Sequence, residues 1–406
     1  MTERKSSFAA LASSALSPQE KLAPVRNGDK TFFIGLPKEI ALQEKRISLT
    51  PDAVSLLVNH GHRVLVETHA GEGSKFTDQM FSEAGASIVA SPREVYQADI
   101  ILKIEPPTIA EIELMKAGQV LISALQLGNL EENFITLLNR KKVTALAYEF
   151  IEDKVGGMPV IRALSEIAGI AAVSVAAQYL STAESGKGII LGGITGVPPT
   201  KMVILGAGTV AESVARAAIS LGVEIQIFDN HLYKLRRIKH ILGQQVYTST
   251  IDTNGLAETL RTADVLVGTL RAEKGQSRHV VSEEMVRQMK PDSLIIDLSI
   301  DQGGCIATSE ITTHLSPVFR KYDVIHYCVP NIAARVARTA TTALSNIFTP
   351  LLIRAAAEGG MEEMTFNNKG FQRGIYTYKG HLTNEAIARK LGISHRNIEL
   401  LLAARL

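Results

Sequence analysis

"KMVILGAGTVAESVARAAISLGVEIQIFDN", residues 201–230, contains a short apolar run, a glycine turn, an amphipathic stretch and a second apolar run closed by an acid. Within it, Gly206-Ala207-Gly208-Thr209-Val210-Ala211 matches the pattern G-x-G-x-x-A. That pattern alone is weak, because Gly and Ala are common residues. Here it follows a strand-like segment, opens a helix-like one, and is answered by Asp229 at the end of the next strand. In that context Gly206 permits a tight turn, Gly208 lets a diphosphate approach the backbone, and Ala211 allows close helix–strand packing. The diphosphate would rest on a helix N-terminus, where free N–H groups and the helix dipole favour an anion. Asp229 would accept hydrogen bonds from ribose hydroxyls and would repel a 2′-phosphate, which favours NAD over NADP. The plainer alternative is a close-packed βαβ turn with a solvated aspartate.

Working outward, further strand signals follow at "QQVYTST", "ADVLVGTL", "SLIIDLSI" and "DVIHYCVP". Before the turn lie a long helical segment, roughly 160–184, and a glycine-rich ribbon or loop, "GKGIILGGITGVPPTK". Earlier still, "FFIGLP", "HRVLVET", "ASIVA", "ADIILKI", "QVLISAL" and "VTALAYEF" alternate with helical patterns such as "PDAVSLLVNHG". Strands spaced by helices imply mostly parallel sheets, so the fold class is α/β with two such domains. After Pro330 the chain reads as helical from about Arg335 to Ala356, and "LTNEAIARKLGI" predicts a compact helix closed by Gly392. A helical tail needs a packing surface, and the first domain is its expected host.

Composition bounds the function. A chain of 406 residues is too long for one ordinary core, and 46% apolar with 21% charged residues is typical of a globular protein. A formal charge of +2 gives no electrostatic case for nucleic acid or membrane. No run of 18 or more apolar residues predicts a span. The two cysteines, Cys305 and Cys328, cannot build a disulfide framework, so a reducing cytoplasm is the expected location. No His, Cys or carboxylate cluster has metal-ligand spacing, and no metal is predicted; His62, His69 and His326 read as structural or solvated. Residues 1–29, rich in Ser, Ala and charge, predict a flexible or partly helical arm.

Candidate chemistry is sparse. In "SLIIDLSIDQGG" the strand signal carries two acids, Asp297 and Asp301. Ligands of such folds gather beyond the C-terminal strand ends, so Asp301 is expected to face a nicotinamide. Asp297, deeper in the strand, is better read as holding loop N–H groups. In the first domain Arg46 enters a strand-like "RISLT", and Lys103 ends the apolar run of "DIILKIEPP"; snorkelling to solvent is the usual fate of such cations.

"GLPKE…KRISLTP", "GHRVLVETHAGEGS", "ADIILKIEPP", "YEFIED", "SEIAG", "LGGITGVPP", "LGAGTVAE", "IDQGGC" and "YCVPNIA" occur in order over most of the chain. Together they resemble the alanine dehydrogenase/transhydrogenase family. The resemblance implies a discontinuous substrate domain, residues 30–158 and 337–406, with an NAD-binding Rossmann domain, residues 159–336, inserted between its halves. It further implies reversible, NAD-dependent oxidative deamination of L-alanine to pyruvate and ammonia, in a homo-oligomer that is commonly a hexamer. Arg46 and Lys103 fall where the family binds the substrate carboxylate and its carbonyl or amino end, and Asp301 matches the catalytic aspartate. Besides Gly206 and Gly208, the positions matching dinucleotide contacts are Ser165, Thr209, Val210, Asp229, Lys234, Leu270, Leu298 and Asn331.

Two departures stand out at the substrate end. Where the family carries an acid/base histidine, this chain has Gln126 in "LISALQLGN", a side chain that cannot exchange a proton near neutral pH. A second basic residue expected just after the lysine is absent from Lys103-Ile104-Glu105. Proton traffic would then rest on Asp301, a bound water or Lys103, with Gln126 orienting the substrate. Another amino or imino acid as substrate, or an NAD-binding protein without turnover, remain open alternatives. Transhydrogenase is disfavoured, because its Arg-Ala-Gln loop is replaced by Arg162-Ala163-Leu164-Ser165.

Overall fold

Residues 30–41, 43–270 and 279–404 of the computed structural model are described here; the predicted N-terminal arm lies outside them. The first sheet draws on β1 (Phe33–Leu36), β2 (Arg63–Glu67), β3 (Ser87–Val89), β4 (Ile100–Leu102), β5 (Val120–Ser123) and β6 (Thr144–Ala147). The second is built from β7 (Lys201–Leu205), β8 (Glu224–Phe228), β9 (Tyr247–Ser249), β10 (Val265–Gly268), β11 (Leu294–Asp297), β12 (Val318–Lys321) and β13 (Val324–Tyr327). The chain then returns to the first sheet with β14 (Ile375–Tyr378) and β15 (His381–Leu382).

Spatial order is β15-β14-β6-β5-β4-β1-β2-β3 in one sheet and β12-β13-β11-β10-β7-β8-β9 in the other. Each therefore contains six parallel strands in the doubly wound order 3-2-1-4-5-6, extended at one edge by antiparallel strands. The winding direction reverses between β1 and β4, and again between β7 and β10. Those two crevices are where the topology predicts ligands. β10 and β11 are buried along their whole length, as expected for strands covered on both faces.

Several local expectations hold for identifiable reasons. The helix Pro51–Asn59 starts where Thr50 Oγ1 accepts the Ala53 N–H, and Pro51 needs no donor there. The helix Pro159–Tyr179 packs on the helix Thr209–Ser220 through Gly169, where a Cβ would lie 2.6 Å from the Ser213 Cβ. By length and composition Pro159–Tyr179 could cross a membrane; here Ala171, Ala172, Val175 and Ala176 belong to the second domain's core. The helix Glu385–Leu391 ends at Gly392, whose φ of 69° is the left-handed closure that glycine favours.

Other expectations need correction. "RISLT" forms no strand: Ile47 and Leu49 are buried core residues, but the Ile47 N–H bonds Thr341 Oγ1 instead of a neighbouring strand. The tail is not wholly helical, since β14 and β15 form a hairpin whose first strand pairs antiparallel with β6. β11 stops at Asp297, so Asp301 lies in the following 3-10 turn, Ile300–Gln302, rather than at the strand's last residue. Period-two alternation does not extend from Asp297 to Asp301 because the chain has already left the extended conformation.

Candidate functional site

The first crevice collects side chains from the ends of β1, β4 and β5. Arg46 follows β1 and is buried, with Nε and Nη2 donating to the two oxygens of Glu44 at 2.7 and 2.6 Å. This clamp occupies one edge of the guanidinium and leaves Nη1 and the other Nη2 hydrogen for a second acceptor. Glu105 Oε1 stands 3.5 Å from Nη2 on that account. Burial works against the Glu44 carboxylate, but the Arg46 hydrogen bonds outweigh it and hold its pKa below the usual range.

Lys103 follows β4 directly. Its ammonium is buried, not snorkelling, and bonds Glu111 Oε1 at 2.9 Å with Glu39 Oε2 at 3.1 Å. Burial disfavours the cation, yet Glu39 and Glu111 together raise its pKa above the ordinary lysine value. Glu39 also accepts the Ile104 N–H at 2.6 Å, and the Tyr148 hydroxyl donates to the Ile104 carbonyl at 2.6 Å, fixing the chain on both sides of the crevice floor.

Gln126 lies past the end of β5 with φ 48° and ψ 61°, a left-handed backbone uncommon for a residue with a Cβ. Such strain persists where neighbours over-determine it. Here Glu149 Oε1 accepts the N–H groups of Leu125 at 2.8 Å and Gln126 at 3.4 Å. The Gln126 amide Nε2 donates to Glu105 Oε2. Glu105 and Gln126 line one cavity of about 270 Å³, together with Pro106, Leu125, Glu131 and Phe134. Burial, aided by Glu44 and opposed by Arg46, holds the Glu105 carboxyl at about 7.

The second crevice is built differently. Gly206 has φ 107°, and a Cβ there would lie 2.4 Å from Thr269 Oγ1, so only glycine fits. At Gly208, in extended backbone at the N-terminus of the Thr209–Ser220 helix, a Cβ would meet nothing within 4 Å. That is open space over free N–H groups, suited to a diphosphate. Thr209 and Val210 form the first turn of this helix, and Ser165 lies one turn before Gly169 on the helix packed against it.

Asp229 is buried after β8, its Oδ2 accepting the Ala207 N–H at 2.8 Å and its Oδ1 accepting the His231 N–H at 2.8 Å. It therefore braces the glycine turn; Oδ1 also meets His231 Nδ1 at 2.9 Å, so the second lone pair of Oδ2 is what a ribose hydroxyl could use. Lys234 Nζ lies 3.4 Å from His231 Nδ1. Leu270 and Leu298 are half-buried beyond β10 and β11. Asp301 is exposed in its 3-10 turn, while Asp297 is buried and accepts from Ser309 Oγ at 2.8 Å, Ser299 N at 3.0 Å and Cys305 N at 3.1 Å. Burial raises the Asp297 pKa against those three bonds, and its role is the loop brace expected from the sequence.

Asn331 joins the two crevices. It follows β13, adopts a left-handed backbone with φ 54°, and donates its amide to Glu44 Oε2 at 2.7 Å. The His314 N–H likewise bonds Gln43 Oε1. Sequence reasoning did not find Glu39, Glu44, Glu105 or Glu111. Of these, Glu105 enters the sequence reading only as part of Lys103-Ile104-Glu105, and its contact with Gln126 is what the fold adds. The histidines named earlier have local partners: His62 Nδ1 accepts the Phe32 N–H at 3.2 Å, His69 pairs with Glu72, and His326 Nε2 lies 2.8 Å from Thr308 Oγ1.

Comparison with known proteins bears on this arrangement. Residues 35–168 match the family description "Alanine dehydrogenase/PNT, N-terminal domain", and residues 172–385 match "Alanine dehydrogenase/PNT, C-terminal domain". The chain is 39% identical to the alanine dehydrogenase of Bacillus subtilis over 90% of its own length and 96% of that relative's. Among solved structures, an L-alanine dehydrogenase superposes with a TM-score of 0.81 at 34% identity, covering 88% of this chain and 98% of that one. A transhydrogenase from Sinorhizobium meliloti gives a TM-score of 0.74 at 25% identity, covering 87% and 99%.

Proposed function

The chain belongs to the alanine dehydrogenase/PNT family, and from that membership we propose that it catalyses the reversible, NAD-dependent oxidative deamination of L-alanine to pyruvate and ammonia. The observation that carries this reading is the buried Arg46 at the switch-point crevice, whose Nη1 is engaged by neither Glu44 nor Glu105. A fork of paired N–H donors fits a carboxylate bidentately. Lys103 has one donor beyond the two given to Glu39 and Glu111, and an ammonium polarises a developing carbonyl.

NAD is the cofactor that the second crevice fits, with Gly206, Gly208, Thr209, Val210, Asp229 and Lys234 at the turn and Ser165, Leu270, Leu298 and Asn331 around it. Bound there, NAD would supply the acceptor for a hydride from the substrate carbon. The chain's own residues do the rest: Arg46 holds the carboxylate, Lys103 holds the carbonyl or amino end, Gln126 orients the substrate, and Asp301 assists water and amine from the second domain. On the same reading residues 30–158 and 337–406 form the substrate unit and 159–336 the dinucleotide unit, which the pairing of β14 with β6 supports. A cytoplasmic homo-oligomer, hexameric by family resemblance, is the assembly to test by light scattering.

Reduction of NAD by purified protein on addition of L-alanine, across neutral to alkaline pH, is the test; its absence overturns the substrate. A second reading, another amino or imino acid, is favoured by the Gln126–Glu105 contact, which changes the cavity wall. A panel of amino acids separates the two.

A further inference from the structure

Gln126 is one departure from the family pattern, and Glu105 belongs to Lys103-Ile104-Glu105, where the second lies; the fold places the two side chains in contact at the rim of one cavity. We propose that Glu105, in addition to Asp301, exchanges protons with substrate and water in this crevice, in the role the family gives to a histidine. The inference rests on the reading of Arg46 as the carboxylate site.

Glu105 has the attributes that task needs. It stands in the cavity wall, with Oε1 toward the open edge of Arg46 and Oε2 held by the Gln126 amide. Gln126 thereby orients the carboxylate and cannot take its proton. The charged and titratable groups facing Glu105 are Glu44 and Arg46 from the loop after β1, Glu39 from the same loop, and the neutral Tyr148 hydroxyl beyond β6; Glu131 shares the cavity. Burial, with repulsion from Glu44 and Glu39 and against the attraction of Arg46, poises Glu105 at about 7, where an acid/base group is most effective. A substrate carboxylate on Arg46 adds negative charge nearby and favours the protonated form further.

The chemistry balances without a further reagent. As water attacks the carbon of the protonated imine that hydride loss leaves, a C–O bond forms, the C=N π pair moves to nitrogen, and the water's proton passes to the Glu105 carboxylate. Glu105 then returns that proton to the amine nitrogen. When the carbinolamine collapses, the C–N bond breaks, its pair leaves with ammonia, and the hydroxyl proton goes to Glu105 as the carbonyl forms. That proton passes to solvent. Hydride has already left the substrate carbon in the preceding step.

The test is the pH dependence of kcat/KM for alanine in the wild type, Glu105→Gln and Glu105→Asp, with NAD affinity and thermal melting measured alongside. Glu105→Gln is expected to lose about 10²- to 10⁴-fold in kcat/KM and the limb near pH 7, with NAD affinity unchanged. Glu105→Asp should keep the limb at reduced rate, and Gln126→His in the Glu105→Gln background should restore activity with a histidine-like limb. A Glu105→Gln variant within tenfold of wild type and with the same pH profile overturns the proposal. If the wild type turns over no alanine, the substrate reading fails instead. Infrared titration of the NAD-bound protein then decides Glu105: a carboxyl near 7 that is lost in Glu105→Gln supports it, and one in the ordinary range overturns it.

Discussion

The two crevices share one strand order but recognise by different means. In the second, the turn opens at Gly208 onto the N-terminus of the Thr209–Ser220 helix, with one buried carboxylate, Asp229, bracing it from behind. In the first, Arg46 and Lys103 are buried among Glu39, Glu44, Glu105 and Glu111, and side chains do nearly all the work. Ligand size explains the contrast. A dinucleotide spreads its binding over many atoms, so a helix terminus and a few apolar contacts suffice. A small amino acid offers only a carboxylate, an amine and a methyl group, so each must meet a side chain fixed in place. Removing a charge should therefore damage the first crevice far more than the second.

The largest effect expected is from Arg46→Met. It leaves Glu44 buried without its partner, and breaking a buried ion pair costs about 3–5 kcal/mol. Chemical denaturation should show that loss, together with loss of alanine turnover. NAD affinity should persist; if it falls in parallel, the two crevices are not separable as described.

A second, pH-dependent effect isolates Glu105. In the unfolded chain it ionises near 4.5, whereas the folded protein holds the proton until about 7. The native state then binds more protons between those values, so stability falls as pH rises through that window. The decline attributable to Glu105 is on the order of 3 kcal/mol, and it should be absent from the stability difference curve of Glu105→Gln. A parallel offset with no change in slope would mean that the carboxyl titrates normally.

The two glycines of the turn sharpen the contrast from the other side. Gly206→Ala forces a Cβ onto Thr269 at positive φ and is expected to cost about 1–3 kcal/mol of stability in denaturant melts. Gly208→Ala places its methyl in open space and should change stability by less than about 0.5 kcal/mol. Its effect should appear instead as weakened NAD binding by calorimetry. Equal stability losses at both positions would contradict the assignment.

Legibility in the sequence follows the same division. The dinucleotide crevice is local: turn, helix and acid lie within residues 201–230, and hydrophobic period and glycine placement point to them without tertiary information. The first crevice is assembled from loops after three strands, so Arg46, Lys103 and Gln126 came from family resemblance rather than pattern. Their partners Glu39, Glu44 and Glu111 look like solvated charge in sequence, because burial and pairing appear only once β1 and β4 are neighbours. Glu105 beside Gln126 was invisible for the same reason. The hairpin of β14 and β15 escaped because β15 is only two residues long and β14 finds its other partner in β6, far away in sequence.

The most direct test of the account is the absorbance of reduced nicotinamide when L-alanine is added to purified protein with NAD. An increase that depends on L-alanine, with stoichiometric pyruvate and ammonia, is the predicted result. NAD bound tightly with no reduction by alanine at any pH from neutral to alkaline would contradict it.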